Sequence, residues 1–76
     1  MKTVYYDSIR GLLAVKPISY NGKFVTCKVT ARNVHSGYKT GETLECFPRD
    51  IVRPLSGMRC YSVGVDEINR IIGGKA

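Results

Sequence analysis

The stretch Ile18-Ser19-Tyr20-Asn21-Gly22-Lys23-Phe24-Val25-Thr26-Cys27-Lys28-Val29-Thr30-Ala31-Arg32 decides the fold. Asn21-Gly22 separates two apolar-rich runs, and both residues tolerate the positive φ that a type I′ hairpin turn requires. The run after the turn alternates. Val25, Cys27, Val29 and Ala31 fall on one face, and Phe24, Thr26, Lys28, Thr30 and Arg32 on the other. Successive strand side chains point to opposite faces, so this is a strand with one side buried.

A two-residue turn fixes the register. Tyr20 then faces Lys23, Ile18 faces Val25, Ala14 faces Val29 and Leu12 faces Ala31. Pro17 falls opposite Thr26, at a position whose N–H that ladder does not use. Towards a third strand the missing donor marks an edge or a bulge. Lys16 is the misfit, because this register points it inward opposite Cys27. A bulge near Pro17 reverses the parity and sends Leu13 and Val15 into the core instead.

Outward from the hairpin, Thr3 to Tyr6 reads as a short N-terminal strand. Thr43 to Phe47 alternates, with Leu44 and Cys46 inward. Pro48-Arg49-Asp50 is a turn, Ile51-Val52 a short strand, Pro54 to Gly57 a second turn, and Met58 to Val63 a further strand. Asn33 to Gly41 is a loop. Asp66 is placed to cap a short helix ending at Ile72. Ile68, Ile71 and Ile72 share its face, Glu67 suits its positive end and Gly73 its stop. About five short strands joined by tight turns predict a mainly β fold: a small SH3-like or Sm-like barrel with a short C-terminal helix, or a half-open sheet. The 76 residues make one small domain over 1–76 with a thin core and little room for a deep substrate cleft.

Net charge is +6, and its distribution carries the functional argument. Arg10, Lys16, Lys23, Lys28, Arg32 and Lys39 lie between Ser8 and Gly41 with no acidic residue among them. Elsewhere bases and acids balance. Lys28 and Arg32 share the outward hairpin face with Thr26, Thr30 and Phe24, and the following loop adds His35, Tyr38 and Lys39. Cations neutralise phosphates, hydroxyls donate to phosphate oxygens and rings stack on bases. Arg10, Lys23, Phe24, Lys28, Arg32, Tyr38 and Lys39 are therefore the expected nucleic-acid-binding residues. Lysines on the outer face of a hairpin have a plainer use as well, since they discourage edge-to-edge aggregation.

Little else carries chemistry. The cysteines, Cys27, Cys46 and Cys60, follow no zinc spacing, and His35 is the sole histidine. Their odd number speaks against a closed disulfide framework and for reduced, mostly buried thiols in a cytoplasmic protein, with a reactive thiol or a Cys27–Cys46 bridge as the rival readings. A Cys–His pair would need a thiol beside His35, and Cys27 points inward. Glu42, Glu45 and Asp50 sit among arginines, where ion pairing is the simpler account. No glycine pattern cradles a phosphate. The expectation is neither enzyme nor metalloprotein, with no cofactor. The N-terminus turns acidic at Asp7 before any long apolar run, so neither signal peptide nor membrane span is expected.

Gly41-Glu42-Thr43-Leu44-Glu45, followed by Pro48-Arg49-Asp50-Ile51-Val52-Arg53, resembles the last strands of SH3-like barrels, where a short turn leads into a closing strand. Gly57-Met58-Arg59-Cys60-Tyr61, with Ile68-Asn69-Arg70-Ile71 beyond it, is similar to the end of WYL-type domains, Sm-like sensors of ligands or nucleic acid, although the tryptophan of that pattern is missing. Neither resemblance assigns a functional residue. Taken together, the sequence predicts a small basic binding module for DNA or RNA, either a monomer or a small homo-oligomer. The alternative is an interaction module or inhibitor, of the kind found among phage and mobile-element accessory proteins, that docks on an acidic protein surface.

Overall fold

The computed structural model describes residues 3–8, 11–32, 37–55 and 59–74. Its strands are β1 (Val4–Ser8), β2 (Gly11–Tyr20), β3 (Val25–Val29), β4 (Thr43–Cys46), β5 (Ile51–Pro54) and β6 (Cys60–Ser62), followed by the helix α1 (Val65–Ile72). All pairings are antiparallel, in one sheet of order β4-β3-β2-β1-β5-β6. The mainly β fold with a C-terminal helix is thus present. A closed barrel is not, because β4 and β6 remain unjoined edges of an open six-stranded sheet.

The sheet is nevertheless rolled. β4 and β5 stand four strand spacings apart, about 19 Å if the sheet were flat. Only Phe47 and the 3-10 turn Pro48–Asp50 connect them. Five Cα steps reach at most about 17 Å, and a 3-10 turn reaches less. The sheet must curl for the chain to close this gap. Tyr6 on β1 packs against the core, and burial first, then the nearby Asp50 carboxylate, pushes its phenol above its ordinary value.

The hairpin corrects the expected register. Asn21 does not enter the left-handed region; its Oδ1 instead accepts from the N–H groups of Lys23 (2.9 Å) and Phe24 (2.7 Å). Gly22 alone takes positive φ there, at 92°. An asparagine side chain that satisfies two backbone donors makes a wider loop as good as a type I′ turn. Tyr20 therefore pairs with Val25, and the loop runs from Asn21 to Phe24. The register slips again between Pro17 and Ser19, leaving Ile18 bulged out. Beyond the slip Pro17 pairs with Cys27 rather than Thr26, Lys16 with Lys28 and Val15 with Val29. The bulge turns Lys16 outward and buries Leu13, Val15 and Pro17. Pro17 lies beyond the end of the β1–β2 ladder, which stops at Val4–Val15 among the described residues, so its missing N–H leaves no gap there.

Leu13, Val15, Val25, Cys27, Val29, Leu44, Cys46 and Ile51 line the inner face, and Ile68 and Ile71 of α1 pack onto it. The helix starts one residue before the expected cap. Gly64, with φ 87°, is its N-cap and makes no side-chain bond, so Asp66 serves in the first turn instead. There the partial positive charge of the helix end favours an acid. Gly73 closes the helix as expected, donating its N–H to the Asn69 carbonyl at 2.9 Å. Arg53 on β5 fastens α1 to the sheet through a 2.6 Å ion pair with Glu67.

Cys27 and Cys46 are buried in this core with sulfurs 4.0 Å apart, whereas Cys60 is exposed. The contact with Cys46, and then burial, push the Cys27 thiol up. A buried, protonated thiol is a poor nucleophile. An aromatic disulfide reagent should therefore modify Cys60 promptly in the native protein and reach Cys27 and Cys46 only on unfolding. Equal reactivity of all three would contradict the packing of β3 on β4.

Candidate functional site

The outer face of β2, β3 and β4 gathers the side chains that the inner face excludes. Its geometry follows from the registers. At one level Lys16, Lys28 and Thr43 stand side by side on the three strands. At the next, Ser19, Thr26 and Glu45 do so. Residues directly opposite in such a ladder have Cβ atoms about 5 Å apart. Continuing outward, Phe24 and Phe47 follow the last β3–β4 pair, Val25–Cys46. Their ring centroids are 5.1 Å apart at an interplanar angle of 34°. Cations flank both rings: Lys23 Nζ lies 5.3 Å from the Phe24 centroid, and Arg49 Cζ 5.1 Å from that of Phe47.

Two like charges directly opposite each other on neighbouring strands are unfavourable. Lys16 and Lys28 occupy such a pair, and both are exposed. Neither lysine is in an ion pair among the described residues. Among the described residues the ion pairs involve Glu67, with Arg53 and at 3.7 Å with Arg70, and no cation of the Ser8–Gly41 stretch takes part. The pairing expected for Glu42, Glu45 and Asp50 is likewise absent among the described residues. Among the described residues Glu45 is the acid of this face, set opposite Thr26 between the lysine level and the rings.

The expected site residues separate into groups. Lys23, Phe24 and Lys28 belong to this face. Phe24 is half-buried against Phe47 rather than fully open. Arg32 and Lys39 are exposed near the other end of β3, where Gly41 and Glu42 bond to Val29. Tyr38 does not join the face; it is half-buried and packs against the core. Arg10 and His35 lie outside the described residues. Three members were missed by sequence reasoning. Lys16 was left off because the simple register points it inward, although the bulge near Pro17 that turns it outward was itself foreseen. Phe47 follows directly from the alternation Leu44-in, Cys46-in, which places residue 47 outward. Arg49 had no signal, because its position depends on the 3-10 turn.

An open cleft of about 310 Å³ lies elsewhere, lined by Thr3, Tyr5, Arg53, Pro54 and Tyr61. Its guanidinium is committed to Glu67, so it offers no uncompensated charge to a ligand. Among the described residues no cluster of His, Cys, Asp and Glu is arranged to hold a metal ion, and no helix is long and apolar enough to cross a membrane.

Compared with protein-family models, curated proteins and solved structures, the chain gives no match. The SH3-like and WYL-like resemblances therefore rest on the quoted residues alone.

Proposed function

We propose that this protein is a small nucleic-acid-binding module whose outer β2–β3–β4 face holds the phosphate backbone. The observation that carries the reading is the Lys16–Lys28 cross-strand pair, which costs the fold stability and takes part in no ion pair among the described residues. A polyanion would supply the missing counter-charge. Lys23 and Arg49 extend the positive surface to the far side of the ring pair. Arg32 and Lys39 extend it past the other end of β3. The hydroxyls of Ser19, Thr26 and Thr43 supply hydrogen-bond donors between them.

A second, architectural proposal accompanies the first. The Pro48–Asp50 turn delivers β5 to β1, which is the short turn into a closing strand on which the SH3-like resemblance was based. We read the rolled sheet as an SH3-like half-barrel with α1 laid on its open side.

Titration of a labelled oligonucleotide at several salt concentrations tests the function. Each phosphate contact releases counterions, so four lysine or arginine contacts predict a slope of log K against log salt of about −3 on a single strand. The Lys28→Glu variant adds a discriminating pair of results. It converts a like-charge pair into an opposite-charge pair, so it should raise stability by a few tenths of a kcal/mol, up to about 1. It should also weaken binding and make the slope shallower by about 1. No binding at low salt would end the proposal.

A further inference from the structure

We infer that the ligand of this face is single-stranded nucleic acid, with bases stacked on the Phe47 ring and phosphates on Lys16 and Lys28; this rests on the function proposed above. Phe47 is 40% exposed, much as Tyr61 is at 42%, but Phe47 lies on the basic face, where Phe24 packs against it. The two rings form a platform rather than a protruding wedge. A duplex keeps its base faces inside the stack, where a platform has nothing to meet. A single strand offers those faces, and stacking on aromatic side chains is the usual way such strands are held.

The flanking cations fit this ligand. In the unbound protein Lys23 and Arg49 lie over the ring faces. An exposed cation–π contact is weaker than base stacking on the same ring. An arriving base therefore displaces the cation, which is left beside the phosphate of that nucleotide. Arg49 has a second use, since a guanidinium plane also stacks on bases.

Glu45 points the same way. A carboxylate between the rings and the lysines repels a continuous row of phosphates, as a duplex backbone laid on the face would present. It accepts hydrogen bonds from base amino groups, which a splayed single strand turns towards the protein. The face then reads as phosphate on Lys16 and Lys28, base edge on Glu45 and base plane on Phe47.

The test is fluorescence anisotropy with one labelled oligonucleotide, free and annealed to its complement, at a single low salt concentration. The wild-type protein should bind the single strand at least about tenfold more tightly than the duplex. Phe47→Leu keeps an apolar side chain of similar volume and removes the ring; it should lose about tenfold on the single strand and nothing on the duplex. Phe47→Tyr should retain binding. Circular dichroism confirms that each variant is folded. Duplex bound as well as single strand, or unchanged single-strand affinity in folded Phe47→Leu, would overturn the inference and leave the binding function standing. Absence of binding to both forms would remove the function itself.

Discussion

Replacing Ile68 with alanine should unfold this protein at temperatures where the wild type is intact. Ile68 is fully buried and is the point at which α1 enters the core of the sheet. An eight-residue helix cannot hold itself in water and depends on such packing. Large-to-small substitution of a buried isoleucine costs about 2–5 kcal/mol, from lost transfer free energy and the cavity left behind. A chain of this size has a total stability of roughly 4–11 kcal/mol. One side chain therefore carries roughly a fifth or more of the total, and the melting temperature should fall by at least about 8 °C. Asn69 is the next residue of the same helix and is exposed, so Asn69→Ala should change stability by less than about 0.5 kcal/mol. Thermal unfolding of the two variants checks this. Similar melting temperatures would mean that α1 is not seated as described.

The placement of α1 also bears on the binding face. The helix occupies the inner side of the sheet and leaves the outer side to solvent. The rolled sheet needs α1 to complete its core, and the outer face needs the rolled sheet to keep β2, β3 and β4 in register.

Much of this was legible in the sequence, for local reasons. Alternation through Val25, Cys27 and Val29 identified β3 and both of its faces. Lys16 as an inward misfit identified a bulge, and the bulge appears at the next opportunity, beside Pro17. The isoleucines at 68, 71 and 72 identified α1 and its buried side. What was not legible depended on choices between near-equal local options or on distant partners. The Asn21 side chain can cap backbone donors or leave them for a tighter turn, and nothing in the dipeptide decides between these. Pairing of β5 with β1 is a long-range closure that no local pattern reports. Tyr38 was read as a stacking residue because it shares the Asn33–Gly41 loop with His35 and Lys39, yet the core claims its ring. Phe47 was legible and was overlooked, since the parity of Leu44 and Cys46 places it beside Phe24.

The position of the charges, rather than their number, is the central claim, and a charge-matched pair of variants separates the two. Lys16→Glu with Lys28→Glu reverses the paired level on the outer face. Arg59→Glu with Arg70→Glu makes the same change in net charge at exposed sites away from it. Arg70 is held by Glu67 only at 3.7 Å on an exposed side chain, an ion pair worth little, so the control should fold normally. Losing two phosphate contacts at 0.1 M salt costs about thirtyfold through counterion release alone, before the added repulsion. The deciding measurement is the affinity of both double variants for one labelled single-stranded oligonucleotide at that salt. The account predicts a loss of thirtyfold or more for the Lys16/Lys28 variant and of less than about fivefold for the Arg59/Arg70 variant. Equal losses in the two, or none in the first, would contradict it.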